Sequence, residues 1–506
     1  MGEGRPAPRG ESGRGSAGGV SGPLLLGIDD GTTAVKAGLF ELDLTPVALA
    51  RRSVAVTHPR AGWVEQDPEL ILEAVVDAVA EVLEIAHGRD VMAAGLDHQG
   101  ESVTAWEAAG GAAIAPVIVW QDKRHEATLE QLPVLVEELS GLPRDPYFSA
   151  GKLAWLLQES PAVAAAREAG KLRLGTVDAF LLERLAGRFA SDLSTASRTQ
   201  LLALGGRNWD ERLLAAFGIE RSLLPRLGPT FGALGELRHE RWPVPVPLRA
   251  QLVDQQAAMV GSGAVAAGQA KATYGTGVFV LGRTPGPQPC AGLLPTVAWA
   301  GPGAGGGPGE PAYALDGGVF AAGALLEWLA VELGLAGDPA SLAAAAAEVP
   351  DSAGVRVLPA LSGLGSPWWR PEARGVIAGL HGGVGRAHIA RAALEGIAHR
   401  VADIVEAMSG AMEISGLRVD GGLTNDASLL QIQADLLGLP LTVARPDATV
   451  LGAAMLAGVG AGAFETVEEA AALLDGGRTV APRMGEQQRL ESRSQWREFV
   501  ARAGSL

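Results

Sequence analysis

The chain has 506 residues, which is too long for one hydrophobic core and predicts two or three domains. Acidic residues outnumber basic ones by 57 to 41, so no broad positive field exists to attract nucleic acid or an anionic membrane surface. The one cysteine, Cys290, excludes an intramolecular disulfide and a cysteine-based metal cage, and it fits a reducing cytoplasm.

The first segment, residues 1–22, is rich in Gly, Ser, Pro and Arg and predicts a disordered tail. The apolar run that follows, Leu24, Leu25 and Leu26, is too short for a signal peptide. No apolar run approaches the ~18 residues of a membrane-spanning helix. We therefore expect a soluble cytoplasmic protein.

The first folded unit is predicted to be a β-hairpin followed by a third strand and a helix. Residues 24–40 read as two short apolar strands that turn at Gly31-Thr32-Thr33, and the third strand lies near 47–56. Asp67 can cap the helix that Pro68 begins, and the apolar spacing continues that helix to about residue 86.

A similar hairpin returns at residues 271–281, where the turn is Gly275-Thr276-Gly277. Two diverged copies of one hairpin indicate two related domains. Between them, Asp254 and Gln255 end an apolar strand, which is a natural position for residues of a cleft. We expect the domain boundary near Gly261.

Two further segments complete the chain-order prediction. Residues 301–311 are almost entirely Gly and Pro and predict a flexible inserted loop rather than helix or strand. Residues 417–422 read as a strand ending in a Gly turn, with a helix over 427–437.

Taken singly, each glycine turn has an ordinary structural interpretation, because Asp and Gly dominate turns in general. The functional interpretation is that Gly lets the backbone approach a phosphate, to which backbone N–H groups and Thr hydroxyls donate. Asp29 would then face a hydrated Mg²⁺. The order of a phosphate turn, a strand-end carboxylate, a second phosphate turn and a Gly-rich strand end favours the functional interpretation.

Several longer motifs in the chain resemble those of a known family. They are Gly62-Trp-Val-Glu-Gln-Asp-Pro68, Trp120-Gln-Asp-Lys-Arg124, Pro146 to Trp155, Ser194-Thr-Ala-Ser-Arg-Thr199, Tyr313 to Phe320, Ser362 to Pro367 and Arg386 to Ile397. From Leu24 to Phe464 the chain resembles the FGGY carbohydrate kinases, and within that family it is most similar to the glycerol kinases. The resemblance implies an α/β, actin- and hexokinase-like fold: two ribonuclease-H-like domains with mixed sheets and a cleft between them.

The resemblance also implies the domain limits and the reaction. Residues 1–22 would be the tail, 23–261 an N-terminal domain that binds polyol and phosphate, 262–485 a C-terminal nucleotide domain, and 486–506 a C-terminal helix or tail. ATP and Mg²⁺ are the implied cofactors, and a homodimer or homotetramer is implied as the assembly. The reaction would transfer the γ-phosphoryl group of ATP to a hydroxyl of a small polyol, with glycerol expected first.

Site residues follow from the same resemblance. Asp254 resembles the general base, and Asp29 and Asp254 would hold Mg²⁺ through water. The substrate positions are Glu101, Tyr147, Asp254, Gln255 and Phe279. The ATP positions are Thr32, Thr33, Lys36, Gly275, Thr276, Gly277, Gly323, Glu327, Gly422 and Asp426; Glu327 and Asp426 stand where the family commonly has amides, and Lys36 where it usually has Arg.

One departure concerns the substrate. The family's glycerol-binding Asn-Gln-Arg-Glu-Thr reads His98-Gln-Gly100-Glu101-Ser102 here, so the arginine is missing. This leaves Glu101 without its expected partner and opens space, unless His98 supplies a donor; an ordinary structural histidine is the alternative. Three functions therefore remain open: a glycerol kinase, a kinase of a longer polyol or ketose such as erythritol or xylulose, and a non-catalytic sugar or nucleotide sensor.

Overall fold

The computed structural model describes residues 22–108, 111–474 and 476–503; the expected tail, apart from Gly22, lies outside them. The strands in these ranges are β1 Leu24–Asp30, β2 Ala34–Phe40, β3 Pro46–Ser53, β4 Glu65–Gln66, β5 Val91–His98, β6 Val103–Glu107, β7 Val117–Ile118, β8 Leu172–Thr176, β9 Ala190–Asp192, β10 Arg226–Gly228, β11 Phe231–Leu237, β12 Val246–Val253, β13 Ala270–Tyr274, β14 Val278–Thr284, β15 Leu294–Pro302, β16 Pro308–Val319, β17 Arg356–Leu358, β18 Val376–Ala378, β19 Leu417–Asp420, β20 Leu441–Val443 and β21 Thr479–Val480.

The α-helices in the same ranges are α1 Pro68–Ile85, α2 Glu126–Leu129, α3 Leu135–Ser140, α4 Ser149–Glu159, α5 Pro161–Glu168, α6 Val177–Ala186, α7 Leu193–Ala196, α8 Glu211–Phe217, α9 Asp254–Gly261, α10 Gly323–Glu327, α11 Pro339–Ala346, α12 Arg386–Ser409, α13 Ala427–Leu437, α14 Ala448–Ala461, α15 Val467–Ala472 and α16 Glu486–Ala503. None of them is long and apolar enough to cross a bilayer.

The first large sheet has the order β11-β12-β5-β1-β2-β3. β1 and β2 form the predicted antiparallel hairpin. β5 runs parallel to β1, and β12 runs parallel to β5. Asp67 caps α1 as predicted, with its carboxylate accepting from the Glu69 N–H at 2.9 Å. The carboxyl ends of β1, β5 and β12 therefore meet at one edge of this sheet, where the acidic residues lie.

The second large sheet has the order β15-β16-β14-β13-β19-β20-β21 and repeats the same plan. β13 and β14 form an antiparallel hairpin, and β19 runs parallel to β13. The prediction of two related hairpins is confirmed, as are the strand and helix predicted over 417–420 and 427–437.

The prediction of an inserted loop at 301–311 is wrong. Those residues form the tip of the β15–β16 hairpin, and Pro302 lies opposite Pro308 in its register. Pro302 lies on the edge strand β15, and the part of β16 that contains Pro308 and Pro311 pairs with β15 but not with β14, so these prolines have one unpaired side. Only the short turn between the strands is irregular.

Helix α14 joins the two halves of the molecule. It comes late in the chain but packs on β1 and β5 of the first sheet, and a Cβ added to Gly27 or Gly95 would lie within 2.0 Å of backbone atoms of α14. Glycine is required at both positions because any side chain would push the helix off the sheet. Close backbone packing thus fixes α14 against the middle of β1 and β5.

Candidate active site

Asp254 lies where β12 gives way to α9 and is the first residue of that helix. Its Oδ1 accepts from the Gln255 backbone N–H at 2.6 Å. Burial, followed by repulsion from Glu101 and Asp29, raises the pKa of Asp254 to about 7, although Lys271 opposes the shift. A carboxylate with this pKa is suited to accept a proton near neutral pH.

Three further carboxylates lie at the same sheet edge. Asp29 and Asp30 end β1, and Asp97 lies beside Asp29 in the register of β5. Both carboxylate oxygens of Asp30 and of Asp97 are buried without a hydrogen-bond partner. Burial, and then the charges of Asp29 and Asp254, raise the pKa of Asp30 and of Asp97 well above the ordinary value. Burial and mutual repulsion thus disfavour the charged forms of these carboxylates.

Glu101 has a guanidinium partner that the sequence analysis did not assign. Nε of Arg198 lies 2.7 Å from Oε1 of Glu101, and Nη2 of Arg198 lies 2.9 Å from Oδ2 of Asp316. All three side chains are almost fully buried. The expectation that Glu101 lacks a basic partner is therefore wrong, because Arg198 reaches it from the turn that follows α7.

The space immediately beside Gly100 is occupied by a neighbouring side chain. A Cβ at this position would lie 2.9 Å from Cγ1 of Val253, so a neighbouring side chain already fills the direction in which residue 100 would extend. His98 is fully buried, with Nε2 2.9 Å from the Thr195 hydroxyl and 3.6 Å from Asp178, while its Nδ1 has no hydrogen-bond partner. The contacts of Nε2 fit the ordinary structural interpretation of His98.

An aromatic wall stands beside these charges. The ring of Trp120 makes edge contacts with the rings of Tyr147 and Phe279, at centroid distances of 5.6 and 6.2 Å. The Arg198 guanidinium lies 5.6 Å from the Tyr147 ring. Lys152, fully buried, donates to the carbonyls of residues 146–148 at 2.6 to 3.1 Å and so fixes the loop that carries Tyr147.

The two predicted phosphate turns face one cavity of about 660 Å³. Of the predicted site residues, the cavity wall contains Thr32, Thr33, Tyr147, Gly275, Thr276, Gly277 and Phe279. The Trp120 indole donates to the Thr32 hydroxyl at 3.0 Å, which leaves the hydroxyl proton of Thr32 available to a phosphate oxygen. Glu101 and Asp254 do not line the cavity. Burial is the main cause of the raised pKa of Tyr147, and the charges of Glu101 and Asp254 add to it.

Gln255 is oriented by a buried ammonium group. Nζ of Lys271 donates to Oε1 of Gln255 at 2.6 Å and to the Thr273 hydroxyl at 2.9 Å. With its carbonyl oxygen engaged, the Gln255 amide presents its N–H donors, one of which points toward Asp254 at 3.5 Å. The donor side of Gln255 is thus available to a substrate hydroxyl.

The remaining nucleotide positions differ in their surroundings. The Gly323 N–H donates to the Gly275 carbonyl at 3.1 Å, so Gly323 lies at the second turn. Gly422 follows β19 and is exposed, and Glu327 is exposed on α10. Asp426 uses its carboxylate to cap α13, accepting from the Leu429 N–H at 2.9 Å.

Lys36 is held by a residue from the other half of the molecule. Its Nζ lies 2.8 Å from Oδ1 of Asp447, a residue with φ of 55° just before α14. Each of the two side chains is about one third exposed. A phosphate contact by Lys36 would have to share this ammonium with Asp447.

Sequence reasoning left Arg198, Lys271, Trp120 and Asp316 without a role, although all four lie in segments singled out by their motifs. A signal was present for Lys271, because a charged residue stands within a β-strand whose neighbours are apolar. The partners of Arg198 are Glu101 and Asp316, which lie 97 and 118 residues away in the chain. A local sequence pattern cannot predict contacts at that separation.

Comparison with known proteins agrees with this geometry. The model of the FGGY family of carbohydrate kinases matches residues 24–261 with its N-terminal domain and 270–461 with its C-terminal domain. The chain belongs to the FGGY family of carbohydrate kinases, and the two-domain, actin-like fold with mixed sheets is confirmed. It is an ATP-dependent phosphotransferase by class.

Individual relatives are similar along nearly the whole chain. A glycerol kinase of Thermus brockianus is 43% identical, with 95% of this chain and 98% of the relative covered. A glycerol kinase of Citrifermentans bemidjiense is 42% identical, with 94% of this chain and 98% of the relative covered. A glycerol kinase of Plasmodium falciparum, solved with ADP, is 28% identical with a TM-score of 0.87 over 95% and 98% of the two chains.

Proposed function

We propose that this protein transfers the γ-phosphoryl group of ATP to glycerol and releases sn-glycerol 3-phosphate. The observation that carries the proposal is the Arg198–Glu101 pair at 2.7 Å, because it provides the carboxylate and guanidinium needed to hold two hydroxyls of a short polyol. Glycerol kinases that are 39 to 43% identical over nearly the full chain support it.

In the proposed site, Asp254 accepts the proton of the attacked hydroxyl. Glu101 accepts from a second hydroxyl through its other oxygen, and the unpartnered Nη1 of Arg198 donates to the substrate. Gln255 and Tyr147 add hydrogen bonds, and Phe279 packs against the carbon chain. Alignment of the reactants does most of the work, since a loose phosphoryl-transfer transition state asks little of the base.

ATP would bind across the two turns, with Thr32, Thr33 and residues 275–277 donating to its phosphates. Gly323, Gly422 and the less favourably placed Lys36, Glu327 and Asp426 complete the proposed nucleotide set. Asp29 and Asp254 offer hard carboxylate oxygens that suit Mg²⁺, and the unpartnered buried oxygens of Asp97 beside them favour a cation there. In the described residues no group of three acidic, His or Cys side chains is arranged to hold a metal ion directly. Bound Mg²⁺ would neutralise phosphate charge.

A longer polyol or ketose was favoured by Gly100, and Val253 occupies the space immediately beside this glycine. The sensor alternative has no need of a base with a pKa near neutrality, yet Asp254 has one. We also propose the domain limits 23–261 and 262–485, a cytoplasmic location and a homo-oligomer.

The experiment is ADP release from Mg-ATP with and without glycerol, with Asp254→Asn as an isosteric control. We expect ADP release that depends on glycerol, equimolar sn-glycerol 3-phosphate, and loss of both in the variant. The kinase proposal would be rejected if ADP release were equal with and without glycerol and no other polyol increased it.

A further inference from the structure

A second cavity, of about 550 Å³, lies outside the proposed active site and shares no residue with the cleft cavity. Four arginines line it, Arg173, Arg188, Arg221 and Arg226, together with polar groups of Asn208 and Ser222. No carboxylate is among the lining residues, although the chain as a whole is acidic. We call it the arginine cavity.

Two of the arginines are already engaged. Nε of Arg221 donates to Glu211 at 2.5 Å, and its Nη2 donates to the Trp209 carbonyl. Nε of Arg173 lies 3.8 Å from Glu183, and its guanidinium stacks over the Phe189 ring at 4.3 Å. These two side chains shape the wall and hold part of their charge in ion pairs.

Arg188 and Arg226 are not engaged in this way. Within the described ranges neither side chain has an ion pair or a hydrogen bond, and Nη1 of Arg188 is buried without a partner, as is Nε of Arg173. The backbone brings Arg226 close to the segment that contains Arg188. Arg226 begins β10 opposite Ala190 of the parallel strand β9, and its backbone N–H donates to the Phe189 carbonyl, next to Arg188 in the chain.

This arrangement places like charges together: Arg188 is half-buried, and Arg226 beside it is exposed. Burial, and then the charge of Arg226, lowers the pKa of Arg188, so the two guanidinium groups repel each other. The buried donor Nη1 of Arg188 has given up its hydrogen bonds to water without gaining an acceptor in the protein. An anion between the two groups would satisfy the donors and remove the repulsion at once.

We propose that the arginine cavity binds a small molecule carrying a phosphate dianion. Two uncommitted guanidinium groups match a doubly charged group better than a monoanion, and arginine forks match phosphate oxygens in geometry. The volume exceeds that of a bare ion and falls in the range of pockets for small organic ligands. The site is independent of the proposed glycerol phosphorylation.

The test is calorimetric titration of the full chain with inorganic phosphate at constant ionic strength, with acetate as the monoanion comparison. The variants are Arg188→Gln/Arg226→Gln and, as a matched control, Arg241→Gln, which removes a charge at an exposed ion pair with Asp77. We expect the wild type and the control to bind phosphate in preference to acetate, and the double variant to bind about tenfold or more weakly.

Kinase activity measured without added phosphate should be equal in all three proteins, which shows that they are folded. Equal phosphate affinity in all three would overturn the proposal, because the anion would then be bound elsewhere. Failure of the wild type to bind millimolar phosphate, or equal binding of acetate and phosphate, would overturn it as well.

Discussion

Arg198 and Glu101 form a buried ion pair, with Nε and Oε1 2.7 Å apart, although they come from different parts of the N-terminal half. The guanidinium enters from the turn after α7, and the carboxylate follows β5. Although position 100 is Gly, Glu101 therefore keeps a basic partner, which comes from a different part of the chain. Charge beside the proposed acceptor site is retained.

Replacing Arg198 by Gln should weaken polyol binding. The substitution removes a charged donor beside Glu101, which costs about 10- to 100-fold in kcat/KM for glycerol. KM for ATP should stay unchanged, because Arg198 is not at the phosphate turns. Steady-state kinetics with each substrate varied in turn measure both effects.

Arg198→Lys is the companion variant, since it keeps the charge but not the fork that reaches both Glu101 and Asp316. An intermediate loss is expected. A parallel rise in both KM values, or a loss of folded protein in a thermal melt of both variants, would mean that Arg198 acts only as a structural residue.

Gly100→Ala should destabilise the protein rather than improve the acceptor site. The added Cβ meets Cγ1 of Val253 at 2.9 Å, and overpacking of this kind costs about 1–3 kcal/mol. Val253→Ala in the same chain should restore part of that loss by removing the opposing methyl groups. Denaturant unfolding of both variants measures it; an unaffected Gly100→Ala protein would contradict the packing described.

The contrast between the predicted hairpins and the missed ion pair shows what sequence alone can supply. The hairpins at Gly31 and Gly275 were predicted because strand, turn and strand are adjacent in the chain. Residues 301–311 were misjudged because pairing in a hairpin at the sheet edge overrides the poor strand propensity of Gly and Pro. Arg198 was missed because its partners are brought to it only by tertiary folding.

Activity should depend on pH through Asp254. Its carboxylate accepts a proton only when deprotonated, and its pKa is raised to about 7, so kcat/KM should rise with pH up to about 7 and level off above it. Lys271 opposes that raised pKa, so Lys271→Met should move the rise to higher pH. The exposed Lys171→Met serves as the charge-matched control. Superimposable profiles for Lys271→Met and the wild type would show that Asp254 does not govern the rise.

Helix α16 should contribute strongly to stability through one buried arginine. Arg493 pairs with Asp403 at 2.6 Å and with Glu406 at 2.7 Å, and it is 2% exposed. Arg493→Ala leaves Asp403 with a broken network and should lower the free energy of unfolding by about 3–5 kcal/mol. Arg497→Ala, at the exposed rim of the same network, should change it by less than about 1 kcal/mol. Chemical denaturation compares them, and equal losses would contradict the account.

The most direct test of the proposed function is kcat/KM across glycerol, dihydroxyacetone, erythritol, ribitol, xylulose and ribulose with saturating Mg-ATP, because this ratio reports differential binding of the transition state. With Arg198 beside Glu101 and Val253 filling the space at Gly100, glycerol should lead the panel. A longer polyol or a ketose that exceeds glycerol by about tenfold or more would contradict the account.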